Sequence, residues 1–372
     1  MLGLEKINKV LLNIPGWHTS KKIFVIHSDD WGSIRMPSSK VRDELSSCDL
    51  IKANGPYCKY DTLASAEDLQ ALFEVLNSVK DKNGNPAVLT ANCLLANPDF
   101  EKIKESGFQK YFYEPIDVTF KRYQNEKALT MWNEGINEGV FIPQFHGREH
   151  VNADLWLEKL REGHEGIRKA FDYGVFGVEF KGMGSAQSNL QRAWDAQVKG
   201  SEQLINESLI TGLEMFYERF GFYSETAIAP NYTWSPNHEN VLRVNNVTAM
   251  QGMSRQRVVK GPGLKYNYQY RFMRAANQQR LGYQQRNVFF EPSIDKNQAS
   301  AVSEAIGRID IAFKMRKPAI LGSHRLNYIG VHDEGNRDIN LKMLKKLLTQ
   351  VKQKWPDVEF MSAADLAAIM KT

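Results

Sequence analysis

Residues Lys21 to Gly32 read KKIFVIHSDDWG. Four consecutive apolar residues, Ile23 to Ile26, describe a strand covered on both faces, the pattern of a parallel sheet. The run ends abruptly in His27, Ser28 and two adjacent carboxylates, Asp29 and Asp30. Acids at the carboxyl end of such a strand lie where open α/β sheets and β/α barrels build their sites. Two neighbouring carboxylates can divide the labour, one holding a metal and the other handling a proton. The competing reading is a helix cap or an Asx turn leading into Trp31-Gly32, since Asp is favoured in turns.

Outward from this strand, the same sequence of strand, polar turn and helix returns about seven times. The stretch SAEDLQALFEVLNSV places Leu69, Leu72, Phe73, Leu76 and Val79 at helical spacing, with Ser65 and Asp68 as a capping box. AVLTANCLL follows as a second strand. VFIPQFHGREHVNADLWLEKLREG repeats the opening pattern, with Asn152 as the helix N-cap. Residues 186 to 220 read as one or two helices interrupted near Gly200. YSETAIAPNYTWSP is again strand then loop, with Ser235-Pro236 opening a helix. NVFFEPS, a helix at Ala301 to Met315, the strand AILGSH, a helix at Ile339 to Lys354 and VEFMSAADLAAIM finish the chain. Such alternation predicts parallel strands with helical crossovers in one domain over residues 1–372. The Tyr-, Gln- and Arg-rich segment 261–286 has no clear period and is expected to be a polar insertion.

Composition sets the outer limits. Of 372 residues, 42% are hydrophobic and 24% charged, ordinary for a globular protein with a large core. The net charge of +5 comes from 48 basic and 43 acidic residues spread along the chain, too dilute to predict a nucleic-acid partner. No run reaches the ~18 apolar residues of a membrane span, and the amino-terminal stretch lacks a signal-peptide pattern. Cys48, Cys58 and Cys93 are odd in number and lack metal-type spacing, so reduced thiols and a cytoplasmic location are expected.

Four strand ends carry unusual chemistry: Asp29-Asp30, His146-Gly-Arg-Glu-His150, Pro230-Asn-Tyr232, and His324 in LGSH. Two histidines four apart can reach one ion if the turn between them is helical. Asp30, His146 and His150 together make a three-ligand site with open positions for water and substrate, the arrangement a hydrolytic metal needs.

In order and in strand context these motifs resemble the polysaccharide deacetylase family, the NodB-like metal-dependent carbohydrate esterases. HSDDWG at 27–32 is also similar to the paired-Asp motif of YdjC-type sugar deacetylases. The likeness spans residues 23 to 324 through HSDDWG, HGREH, APNYTW and LGSH. It implies a distorted (β/α)7-type barrel of the α/β class and removal of an N- or O-acetyl group from a carbohydrate. It implies a divalent ion, zinc first among the candidates, held by Asp30, His146 and His150. It further implies Asp29 as general base, the backbone N–H of Tyr232 as oxyanion donor, and His324 as general acid. The expected partner is an acetylated oligosaccharide or sugar.

The chain departs from the family at three points. Ala229 stands where the family carries a loop Arg that orients the base, leaving Arg148 or Arg325 as replacements. No aspartate that tunes the acidic histidine is evident; Asp310 and Glu291 are the available acids. The centre of HGREH carries Arg148-Glu149 where a small hydroxyl residue is usual. Two rival functions follow: a carbohydrate-binding relative without turnover, and an iron(II) facial-triad oxygenase built on two His and one carboxylate.

Overall fold

The computed structural model describes residues 10–49, 51–53, 55–180, 190–196, 198–259, 266–295 and 297–371. Nine strands form its main sheet: β1 (Ile23–Trp31), β2 (Leu89–Leu94), β3 (Phe141–Gly147), β4 (Thr226–Ile228), β5 (Ala249–Gly252), β6 (Gly282–Gln285), β7 (Val288–Phe289), β8 (Ala319–His324) and β9 (Glu359–Met361). Their order is β6-β5-β4-β3-β2-β1-β8-β7, with β9 also on β1, and every pairing is parallel. The apolar run sits at the centre: all nine residues of β1 are buried, as a strand covered on both faces requires.

The two edges of this sheet belong to one stretch of chain. β6 pairs with β5, and two residues later β7 pairs with β8. Between them the Arg286 N–H donates to Gly252 O at 2.8 Å, and the Asn287 N–H donates to Ile320 O at 3.1 Å. Residues 282–289 thus act as one bent stave touching both edges, and the sheet curls into a ring of seven positions. The distorted (β/α)7-type barrel expected from the sequence is the fold of the chain.

Helices α1 (Ala66–Asn77), α2 (Glu126–Asn137), α3 (Ala153–Arg161), α4 (Glu165–Asp172), α5 (Ser201–Phe220), α6 (Pro236–Val244), α7 (Ala301–Lys314), α8 (Glu334–Lys354) and α9 (Ala363–Met370) follow the rim helix Ser39–Ser46. Their starts follow the expected chemistry. The Ser65 hydroxyl accepts from Asp68 N–H at 3.1 Å and the Asp68 carboxylate accepts from Ser65 N–H at 3.0 Å, closing the capping box of α1. Asn152 caps α3 by accepting from Leu155 N–H at 3.2 Å. Helix α5 begins directly after Gly200, while 186–189 of the expected helical segment lie outside the described residues.

One large apolar cluster joins the barrel wall to its surrounding helices, including Leu69, Leu72, Trp132, Phe141, Leu209 and Leu344. A second, built on Met36, Leu45, Trp156, Ile167 and Phe171, anchors the rim structure that follows β1 and β3. The polar insertion expected at 261–286 is narrower than that span. Residues 261–265 lie outside the described residues, and Tyr266–Tyr270 forms a hairpin with Arg255–Val259. Gly282 onward is barrel wall, hidden from pattern reading because Gln284 and Gln285 are polar yet buried.

Candidate metal centre

Strand alternation would send the side chains of Asp29 and Asp30 to opposite faces. The backbone prevents this. Asp30 has φ +73°, and the pairing of β1 with β2 shifts register between Ser28 and Trp31. This bulge turns both carboxylates into the same cavity at the carboxyl ends of the strands. A left-handed Asp costs of order 1–3 kcal/mol and persists only where its surroundings fix it. Other left-handed residues gather here too: Gly147 at +129°, Asn231 at +53° and Tyr232 at +55°.

Asp30, His146 and His150 are all buried and bring three ligand atoms within 4.8 Å of one another. Asp30 Oδ1 lies 3.3 Å from His146 Nε2 and 3.4 Å from His150 Nε2. Tetrahedral bonds of about 2.0–2.2 Å place ligand atoms about 3.3–3.6 Å apart, so both carboxylate–imidazole spacings fit a zinc-sized ion. The tautomer fits as well. His146 Nδ1 is 2.9 Å from Ile228 O, a carbonyl that can only accept, so that nitrogen carries a proton and Nε2 is left as the ring's ligand atom. His150 is kept neutral because burial pushes its pKa down to about 3. A carboxylate facing two imidazole lone pairs is satisfied by a cation between them.

The other oxygen of Asp30 is taken. Arg35 Nη2 donates to Asp30 Oδ2 at 2.9 Å, leaving Oδ1 for an ion. Burial alone would raise the Asp30 pKa, but Arg35 holds the carboxylate well below its usual range. Arg35 also faces Asp61 at 3.4 Å, and Asp61 pairs with Arg325 at 2.8 Å, so charges alternate along a buried row.

Arg286 supplies what Ala229 lacks. Its Nη1 donates to Asp29 Oδ2 at 2.7 Å and its Nη2 to Asp29 Oδ1 at 2.6 Å, a bidentate clamp. Asn92 Nδ2 adds a bond to Asp29 Oδ1 at 2.7 Å. Against the upward push of burial, the guanidinium keeps Asp29 far below ordinary carboxylates, hence ionised. His27 supports the clamp by accepting from Arg286 Nε at 3.4 Å. Neither sequence candidate for this role serves. Arg148 is engaged with Glu149, with Thr211 at 3.0 Å and with the Tyr113 ring, and Arg325 is committed to Asp61. Nothing in the sequence tied residue 286 to residue 29; only the missing Arg at 229 signalled that a replacement was needed.

His324 is the Cα partner of Asp29 across β1 and β8, with Nε2 at 3.8 Å from Asp29 Oδ2. Its Nδ1 is 2.6 Å from Glu291 Oε1. Burial would lower the imidazole pKa, but Glu291 outweighs it and lifts His324 to about 9. Asp310, the other acid considered, pairs with Lys314 at 2.6 Å and Lys354 at 3.1 Å on the helical surface instead.

Tyr232 lines the same cavity, and its phenol oxygen accepts from Arg286 Nη1 at 3.3 Å. Its backbone N–H, expected to face an oxyanion, instead donates to Ala229 O at 3.0 Å within a 3₁₀ turn. The tight Pro230–Tyr232 turn consumes that donor. Trp31 and Trp234, whose flat rings would suit stacking on a sugar, are fully buried instead, Trp31 edge-on to Phe141 at 5.0 Å. The cavity itself, of about 870 Å³, lies over Asp29, Asp30, His146, His150, Tyr232 and His324.

No family model and no curated protein matches this sequence. Solved structures of similar shape include a polysaccharide deacetylase candidate from Pseudomonas aeruginosa PAO1, at 10% identity and TM-score 0.47, covering 94% of this chain and 91% of that one. A polysaccharide deacetylase candidate from Mycobacterium smegmatis is similar at 11% identity and TM-score 0.43, covering 96% and 93%. The 4-α-glucanotransferase of Thermococcus litoralis is similar at 8% identity and TM-score 0.43 over 94% of this chain, which spans 40% of its length.

Proposed function

We propose that the chain is a divalent-metal-dependent hydrolase that removes an N- or O-acetyl group from a carbohydrate. One observation carries this: the Asp30–His146–His150 donor set shares a cavity with a carboxylate held ionised and an imidazole held protonated. Environments that push two titratable groups apart in this way assign them opposite proton roles. Asp30, His146 and His150 would hold the ion, and their nitrogen and oxygen donors suit zinc. Bound there, the ion acidifies a water molecule and polarises the acyl carbonyl.

The remaining work belongs to side chains. Asp29 accepts the proton that the attacking water sheds as its oxygen bonds to the acyl carbon. Arg286 and Asn92 fix the direction of both Asp29 oxygens. His324, protonated below about pH 9, gives its proton to the leaving nitrogen or oxygen as the carbon–heteroatom bond breaks. One proton is taken and one is returned, and the products are acetate and a free amine or alcohol. A cavity of about 870 Å³ accommodates a sugar or short oligosaccharide.

Acetate release from N- and O-acetylated oligosaccharides by the zinc-loaded protein is the test. Release should stop on chelation, return with zinc, and fall about 10²–10⁴-fold in Asp29→Asn. No release from any acetylated sugar, or release indifferent to chelation, sinks the assignment.

A further inference from the structure

The short helix Pro56–Tyr60 brings Tyr57 into the cavity, between its metal-ligand side and its acid side. The ring stands edge-on to the His324 imidazole, with centroids 5.5 Å apart at 89°. On its other flank the Arg35 guanidinium carbon lies 4.8 Å from the ring centroid. Both neighbours are themselves pinned, Arg35 by Asp30 and Asp61, His324 by Glu291. The phenol ring is therefore held by two fixed cationic groups that flank the reaction space.

Its hydroxyl is uncommitted. Among the described residues it has no hydrogen-bond partner, although it borders a cavity rich in charge. Burial, with Glu291 and Asp30 nearby, keeps the phenol protonated and hence a donor. Acyl hydrolysis needs a donor at the acyl oxygen, where charge develops. The Tyr232 N–H is bonded to Ala229 O, and the guanidiniums of Arg35 and Arg286 are committed to carboxylates. We propose that Tyr57 is a catalytic residue whose hydroxyl donates a hydrogen bond to the acyl oxygen as the carbonyl becomes a tetrahedral oxyanion. This rests on the acyl-hydrolysis assignment above; the phenol keeps its proton throughout.

Tyr57→Phe retains the ring, and so its packing on His324 and Arg35. On zinc-loaded protein, kcat for acetate release should fall about 10²-fold with KM little changed, while the basic limb of the pH profile stays near that of the parent. Titration with methylphosphonate, a tetrahedral mimic, should show affinity at least about 10-fold weaker in the variant, while planar acetate binds both forms alike. A raised KM with unchanged kcat, or equal methylphosphonate affinity in the two proteins, overturns the proposal. If the parent protein releases no acetate, the assignment of function fails, and the methylphosphonate titration alone decides on Tyr57. Absence of methylphosphonate binding to the parent overturns it as well.

Discussion

Glu291 is the residue on which the pH behaviour of the site turns. Its carboxylate sits 2.6 Å from His324 Nδ1 and lifts the imidazole from an ordinary 6.5 to about 9, against the downward push of burial. The sign follows directly. A histidine raised by folding is protonated and paired below 6.5, and that stabilisation is lost as pH climbs through about 9. A step that needs protonated His324 should fall over the same basic limb. In Glu291→Gln the largest upward influence is gone and only Asp29 and Asp30 are left to oppose burial, so the limb should move down. A pH profile of kcat/KM for both proteins checks this; superimposable basic limbs would remove His324 as the acid. The sequence offered Glu291 only as one of two acids, because its place beside His324 comes from the turn after β7 meeting the end of β8. His146 and His150 were easier to find, since they stand four positions apart at the end of one strand.

At the scale of elements, the bent stave formed by β6 and β7 both closes the ring and delivers Arg286 to Asp29. The guanidinium passes over Gly322 in β8, where a Cβ would lie 2.8 Å from Arg286 Cδ. Gly322 has no left-handed backbone, so alanine is tolerated conformationally and acts only by crowding. Gly322→Ala should therefore displace the clamp and lower kcat by about 10-fold or more, with an overpacking loss of about 1–3 kcal/mol. Kinetics and denaturant unfolding of this one variant separate the two effects. Parent-like kcat would show that the clamp tolerates the shift. The same stave explains what pattern reading missed. Apolar strands such as Ile23–Ile26 announce themselves because both faces are greasy. The barrel lumen is polar, with Gln251 bonded to Asn92 and Thr226, and Thr226 to Gln144. Strands that face it, β6 above all, lose the apolar run by which a covered strand is recognised. Tyr57 was illegible for a related reason, since it lies in the irregular rim segment whose path is set by packing on Met36 and Leu45 rather than by any period.

For the whole molecule, the donor set joins segments that are distant along the chain. Asp30 lies near the end of β1, His146 near the end of β3 and His150 three residues beyond it, with β2 between the two strands in the ring. An unfolded chain scatters these groups, so an ion that needs all three binds the folded state and stabilises it by mass action. The gain is about 2.7 kcal/mol when free ion reaches 100 times its Kd. Zinc should thus raise the thermal midpoint of the parent in a concentration-dependent way, and a chelator should reverse it. In His146→Ala the shift should shrink sharply, because one of three ligands is gone. Asp29→Asn should keep the shift nearly whole, because that side chain is clamped by Arg286 and lies outside the donor set. Calorimetric scans of the three proteins across a zinc series provide the measurement. An equal zinc response in parent and His146→Ala would place the ion elsewhere. A response lost in Asp29→Asn would make that carboxylate a ligand rather than a base. The comparison is independent of turnover, so it tests the metal centre even if the substrate is never found.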